Sequence, residues 1–525
     1  MGLSFSRCKA TLKLHHLAEN PFDLTKEGSL TPHRLAKFAS EACGYHFLYG
    51  TERVNEETLI SLVALAEERN VLQKMSKLQS GEVMNFIEGY PSENRSALHT
   101  ATRDFFENPN PAKAAREAAT LAKQENDKLK VFMEKIDKEG RFTDLIAVAI
   151  GGSDLGPKAN YLGLSHLKKQ GRNVHFISNI DPDEVAMTLR GVDLSKTLVL
   201  VISKSGTTLE TATNDEFLRS RYREKGLKPE EHFVSISCPG TPLDNKSLFF
   251  ENFYLWDWVG GRFSTSSMVG GVMMSFALGF DVWMEFLRGA SAMDKTALQS
   301  NIEKNLPLLG ALLGIWNRNF LKLPAVAVIP YSQALFRYAA HIQQVDMESN
   351  GKRIDQHGRP TDFETGPLII GEPGTAAQHS FYQELHQGTN ITPLEFIGFK
   401  QSQCEEDFDW QGTSSQQKLL ANLFAQAIAL ATGKSSDNPN KVFPGNRPSH
   451  ILIARQLTPF TMGALLAYFE HKIAFQGFVW GINSFDQEGV QLGKELANRI
   501  IERFKNPQSK PYPEGDAFLE VLKRC

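Results

Sequence analysis

The sequence predicts an α/β protein, with two tandem doubly wound parallel sheets, an N-terminal helical segment and a C-terminal helix. Three observations predict it. Short aliphatic runs recur in two series, helical stretches separate the runs, and the runs end in loops rich in glycine and hydroxyl side chains. The chain has 525 residues, 41% of them hydrophobic, enough to bury more than one core. With 57 Lys and Arg against 60 Asp and Glu, the net charge is −3, and no basic stretch is long enough to grip a nucleic-acid backbone. No apolar run approaches the ~20 residues that cross a bilayer, so neither a nucleic acid nor a membrane is an expected partner.

Residues 19–138 carry apolar side chains at three- and four-residue spacing, clearest in 57–77, and an Ala/Lys/Glu-rich stretch at 111–135. They read as a helical leader. The period changes at Asp144, where runs 145–150, 174–177, 197–202 and 232–237 alternate with helical stretches such as 208–224. A long apolar helix is expected at 268–287. A second series then follows: runs 324–329, 367–370, 394–398 and 450–454, with helices at 333–349 and 376–386. Segments 401–417 and 434–448 read as surface loops, and a helix at 486–504 closes the chain. The division is 1–125 as a leader packed on the second domain, 126–290 as the first domain with a phosphate cradle, and 291–525 as the second. Five scattered cysteines without CxxC spacing fit a reducing cytoplasm rather than a disulfide framework or a zinc site. The opening Met1-Gly2-Leu3-Ser4-Phe5-Ser6 satisfies the loose myristoylation pattern, which is short enough to arise by chance.

The first loop, Ile150-Gly151-Gly152-Ser153-Asp154, reads either as a turn capped by Ser153 or as a place where a ligand meets backbone N–H groups. The second, Ser203-Lys204-Ser205-Gly206-Thr207-Thr208-Leu209-Glu210, is more specific. Thr207 and Glu210 already form a capping box, so Ser203, Ser205 and Thr208 are surplus hydroxyls at a positive helix end beside a lysine. That combination suits a phosphate monoester. Neither GxxxxGK[ST] nor GxGxxG is present, so nucleotide chemistry is unsupported. In Gly260-Gly261-Arg262-Phe263-Ser264, glycines flank a permanent cation that could stabilise an enolate-like oxygen.

Helix 333–349 ends in Gln343-Gln344-Val345-Asp346-Met347-Glu348-Ser349-Asn350-Gly351. Acids in a last helical turn face the negative end of the dipole, so they are either solvated charges or a base with a raised pKa. In Gly371-Glu372-Pro373-Gly374-Thr375-Ala376-Ala377-Gln378-His379, Thr375 as N-cap puts His379 in the first turns, where neutral imidazole is favoured. In Ser484-Phe485-Asp486-Gln487-Glu488-Gly489-Val490-Gln491-Leu492-Gly493-Lys494, Ser484 and Gln487 form another capping box. Gln487 and Lys494 are about two turns apart and so share one helix face.

Together these segments resemble the glucose-6-phosphate isomerase family, built from two tandem sugar isomerase (SIS) domains. The resemblance runs from Ile150 to Lys494 and rests on Gly-Gly-Arg-Phe-Ser at 260–264, Gln-Gln-x-Asp-Met-Glu-Ser-Asn-Gly-Lys at 343–352, Gly-Glu-Pro-Gly-Thr-x-x-Gln-His at 371–379 and Phe-Asp-Gln-x-Gly-Val-x-Leu-Gly-Lys at 485–494. It implies a glycolytic and gluconeogenic isomerase that interconverts glucose 6-phosphate and fructose 6-phosphate through a cis-enediol, without cofactor or metal. By the same resemblance Glu348 is the base, His379 and Lys494 open the ring, and Arg262 stabilises the enediolate. Gly152, Glu210, Gln344 and Gln487 line the sugar, while Ser153, Ser203, Lys204, Ser205 and Thr208 hold the phosphate, Lys204 through its backbone N–H. A homodimer with His379 supplied across the interface is also implied. Ser205 stands where many members carry Thr, keeping the hydroxyl, and Gln491 replaces the usual Glu.

Overall fold

In the computed structural model, which describes residues 4–404 and 406–525, the first series of runs forms a five-stranded parallel sheet. Its spatial order is Asn173–Ile177, Asp144–Val148, Thr197–Ile202, Phe233–Ser237 and Glu251–Tyr254. Both faces are buried, which is why the strands read as continuous Val/Ile/Leu runs. Ile146, Val148, Val199 and Val201 pack with Leu218 and Tyr222 of helix Leu209–Glu224. Strand Glu251–Tyr254 was not legible, because Glu251 and Asn252 interrupt any aliphatic run. The winding reverses between Asp144–Val148 and Thr197–Ile202, so the loops after these two strands border the crevice where doubly wound sheets bind ligands.

The second series gives four parallel strands in the same relative order: Leu368–Ile370, Ala325–Pro330, Leu394–Phe399 and Ser449–Ala454. Its far edge is different. A hairpin, Ala39–Ala42 with Tyr45–Leu48, pairs antiparallel with Ser449–Ala454. The reading of residues 19–138 as a helical leader is therefore corrected at 39–48, and again where Val83–Asn85 pairs antiparallel with Arg95–Ser96. Two four-residue strands carry too little alternation to be seen, and Phe47 and Tyr45 serve the core of the second sheet. Elsewhere the leader is mainly helical, with Glu56–Glu68 capped by Asn55, Val71–Ser80, and the 27-residue Lys113–Glu139.

The helix expected at 268–287 is two, Met268–Leu278 and Phe280–Thr296, broken at Gly279, whose φ of 107° no L side chain adopts comfortably. Helix Pro459–Trp480 is buried along almost its whole length, largely apolar but carrying buried Glu470, His471 and Lys472. It crosses Phe280–Thr296 with the backbones touching. A Cβ added at Gly289 would sit 1.8 Å from the Phe460 carbonyl, and one at Gly463 1.8 Å from the Phe286 carbonyl. Residues Met1–Ser484 form one compact unit and Phe485–Cys525 a second, smaller one. The acylation-like pattern begins on residues 1–3, outside the described residues. Among the described residues no helix is long and apolar enough to cross a membrane.

Candidate active site

At the switch point of the first sheet, strand Thr197–Ile202 delivers Ser203, Lys204 and Ser205 into a tight turn closed by Gly206 at φ 68°, whose N–H bonds back to the Ser203 carbonyl. Ser203 Oγ lies 2.9 Å from Thr208 Oγ1, and Thr207 donates to Ser205 Oγ from both its backbone and its hydroxyl. The helix starts one residue later than expected. Its N-cap is Thr208, which makes no side-chain cap bond, so the Thr207–Glu210 box does not form and the hydroxyls pair with one another instead. The first N–H groups of Leu209–Glu224 are thus left without a side-chain acceptor, in the arrangement that binds anions. Lys204 turns its ammonium away, to the carbonyls of Asp257 at 2.7 Å and Val259 at 3.0 Å. Ser153 ends a 3-10 turn and does not cap Leu155–Gly163; that place is taken by Asp154, whose carboxylate accepts from Ser178 at 2.7 Å.

Gly152 is the hinge between this loop and the arginine loop. A Cβ there would lie 2.3 Å from the Gly261 carbonyl and 2.5 Å from the Arg262 nitrogen, so only glycine lets the two backbones meet. Next to it, the Gly151 backbone brings the Gln344 side-chain amide to the same corner. Arg262 is buried, and its guanidinium donates to Ser349 Oγ at 2.7 Å and to the Ser484 carbonyl at 2.6 Å. Its remaining edge stands 3.5 Å from Glu348 Oε2. The Glu348 side chain keeps 23% of its exposure, against 1% for Arg262, so it alone of the pair opens outward. A fixed cation beside a partly open carboxylate can hold developing negative charge while the carboxylate exchanges a proton.

The element that presents Glu348 is not the simple helix expected at 333–349. A 3-10 turn Gln333–Leu335 leads to the α-helix Tyr338–Gln343, which widens into a π turn over Gln344–Glu348 before ending at Asn350. The two acids of this turn have opposite fates. Asp346 is buried, and burial pushes its carboxyl up to about 7 against the pull of Lys472 and Asn350, so the solvated reading fails for it. Sequence reasoning did not foresee the contacts of Ser349, Asn350 and Ser484, the last of which it read only as a capping residue. Their roles are contacts made across 87 to 222 positions: Arg262 to Ser349, Arg262 to the Ser484 carbonyl, and Ser484 Oγ to Asn350 Oδ1 at 2.7 Å. No local spacing signals such contacts.

His379 ends a short 3-10 turn, Ala376–His379, and is exposed; Thr375 makes no side-chain cap bond, its own backbone being helical at φ −89° and ψ −8° rather than extended as a cap requires. Gln487 and Lys494 belong to the smaller unit. There the helix spans Gln491–Lys505 rather than 486–504, begins at Val490 without a side-chain cap, and is preceded by a 3-10 turn Glu488–Val490. The N-cap positions there are Gln487 for the 3-10 turn and Val490 for the helix, so Ser484 is not the cap that the expected box required. Gln487 has φ −146° and lies outside the helix, which removes the argument that it shares a helical face with Lys494. Glu210 is half-buried in the first turn of its helix.

A family model described as phosphoglucose isomerase matches residues 48–514. The glucose-6-phosphate isomerase of Protochlamydia amoebophila is 61% identical over 523 residues, covering 99% of this chain and 97% of that protein. That of Chlamydia pneumoniae is 51% identical, covering 99% and 98%. A crystal structure of a glucose-6-phosphate isomerase from Chlamydia trachomatis superposes with a TM-score of 0.96 at 48% identity, over 99% of each chain.

Proposed function

The chain belongs to the phosphoglucose isomerase family, and from that premise we propose that it interconverts glucose 6-phosphate and fructose 6-phosphate by ring opening and proton transfer through a cis-enediol. The observation that carries this reading is the Arg262–Glu348 pair, one member locked by Ser349 and Ser484, the other partly open. Aldose and ketose differ only by hydrogen shifted between C1–O1 and C2–O2. Glu348 takes the C2 proton of the open-chain aldose and returns it to C1. Arg262 offsets the negative charge on the enediol oxygens, and its anchored guanidinium needs no rearrangement as that charge appears. Ser203, Ser205, Thr208 and the N–H groups of the Lys204 turn hold the phosphate, with Ser153 beside them. The outward course of the Lys204 ammonium supports the use of its backbone. Gly152, Glu210, Gln344 and Gln487 line the sugar.

His379 and Lys494 serve ring opening, and the protein works as a homodimer in which His379 reaches the partner's site. Its exposure supports this, as do the apolar Leu492, Phe504, Phe518 and Leu522 exposed on the smaller unit. The protein is cytoplasmic on this reading, in keeping with five free cysteines. Residues 1–125, 126–290 and 291–525 are proposed as leader, first and second SIS domains. The test is a coupled assay on the purified chain together with exchange of the C2 hydrogen. Glu348→Gln is expected to abolish exchange while phosphosugar binding stays within about tenfold, or ~1.4 kcal/mol. A wild-type chain that binds phosphosugar normally and yields no fructose 6-phosphate would instead be a sensor, which needs the cradle but not Glu348, His379 or Lys494.

A further inference from the structure

Ser349 and Ser484 fix the guanidinium of Arg262, whereas the loop that carries its backbone, 258–267, is held by the leader. The leader's 3-10 turn His99–Arg103 meets that loop at three points. Leu98, at the N-cap of the turn, donates its backbone N–H to the Trp258 carbonyl at 2.9 Å. The His99 ring stacks on Phe263, the residue after Arg262, with centroids 4.7 Å apart and planes inclined by 21°. Thr102 Oγ1 lies 2.7 Å from Ser266 Oγ, and Arg103 Nη1 donates to the same Ser266 oxygen at 3.0 Å. Thr102 gives its own proton to the His99 carbonyl at 2.7 Å, so Ser266 donates to Thr102 while accepting from Arg103.

Arg103 is fully buried and gripped along its other edges. Its Nε and Nη2 donate to the two carboxylate oxygens of Asp294, on helix Phe280–Thr296, at 2.9 and 2.8 Å. Nη2 also donates to Glu470 of helix Pro459–Trp480 at 2.7 Å, and His471 Nε2 stands 2.6 Å from Asp294 Oδ1. The planar fork of a guanidinium can reach three such partners at once, which an ammonium cannot. A buried ion cluster is weak ground for stability, because desolvating the charges offsets much of their attraction. Its position gives a better account, since one cation ties two helices to the loop of the site arginine. The strip of chain between them is stiff. Ser264 Oγ donates to the Gly261 carbonyl at 2.6 Å and Ser267 Oγ to the Ser264 carbonyl at 2.7 Å, so a shift at Ser266 is carried to Arg262.

We propose that Arg103 is a positioning residue for the proton transfer: through Ser266 it sets the loop that aims Arg262 at Glu348. This rests on the reading in which Arg262 stabilises the enediolate and Glu348 is the base. In a preorganised site a misplacement of about 1 Å costs on the order of 10²-fold in rate. The test is a double-mutant cycle on the full chain, read as kcat and KM in the coupled assay. Ser266→Ala removes the link and leaves the Arg103 ion pairs in place, while Arg103→Lys keeps a cation and loses the fork. Each is expected to lower kcat by about 5- to 30-fold with KM within about threefold. In an Arg262→Ala background the same two changes are expected to alter kcat by less than about twofold, because the group they aim is gone. A loss of about threefold or more in that background, as general loosening of the fold would give, overturns the proposal. So does unchanged kcat in both single variants, or a loss that lies wholly in KM. Where Arg103→Lys does not fold, Ser266→Ala decides alone; failure of both to fold also overturns it, because the cluster is then part of the scaffold. If Arg262→Ala by itself is as active as the wild type, the reading of the site fails. If it is impaired while Ser266→Ala and Arg103→Lys are normal, only the positioning role is lost.

Discussion

The two parallel sheets share a strand order, yet the crevices at their switch points have opposite contents. In the first, the strands end in Gly151-Gly152 and in the hydroxyl-rich turn 203–208, of which Ser203, Gly206 and Thr208 line a pocket. In the second, strand Ala325–Pro330 runs into Tyr331, which fills the equivalent place. The Tyr331 ring stacks edge-on against Phe396, its hydroxyl accepts from Gln378 at 2.7 Å, and a Cβ on Gly374 would fall 2.5 Å from the ring. The second sheet contributes to the site through the helix that leaves it, which carries Gln344 and Glu348 to the edge of the first. On the proposed reading a repeated fold divides its labour, one module gripping the anion and the other reacting, and the difference lies in a few loop residues rather than in topology.

That division can be broken from either side. The largest expected effect belongs to the reacting side: Arg262→Ala should lower kcat by about 10²- to 10³-fold, read in the coupled assay, since a preorganised charge is lost at the developing oxyanion. Gly152→Ala should follow, destabilising the fold by roughly 1–3 kcal/mol in denaturant titration and lowering activity, because the added methyl overlaps the Gly261 carbonyl. On the gripping side, Thr208→Val should raise KM by about tenfold, ~1.4 kcal/mol, with the smaller share of the effect in kcat. If it instead lowers kcat at constant KM, the separation between grip and reaction fails. Smallest is Tyr331→Phe, which removes from the filled crevice the hydroxyl bonded to Gln378 and, at 3.5 Å, to Tyr382; about 1 kcal/mol of stability should go, with catalysis untouched.

Much of this was legible in the chain. Fully buried strands announce themselves as aliphatic runs, and Thr197–Ile202 was read to the residue. The loops were legible because a site built on close backbone approach requires glycine, hydroxyl and cation within a few positions. Helix Pro459–Trp480 left no signal, since a helix buried on all sides has no polar stripe to give it a period. Hairpin 39–48 was too short, and the helices expected to start at Thr207 and Ser484 start later, with Thr208 and Val490 at their N-caps and Thr208 pairing with Ser203. The buried Asp346 and Lys472 look on paper like ordinary surface charges; only packing shows otherwise.

The widened turn at Gln344–Glu348 has a consequence for how this segment can change length. A π turn carries one residue more than the α-helical turn it replaces, so losing one position here would regularise the spiral while the chain downstream kept its place. Only the residues inside the turn, Glu348 among them, would be re-aimed, and Ser349 would stay beside Arg262. Elsewhere in a helix there is no such slack, and the same loss would turn all that follows by about 100°.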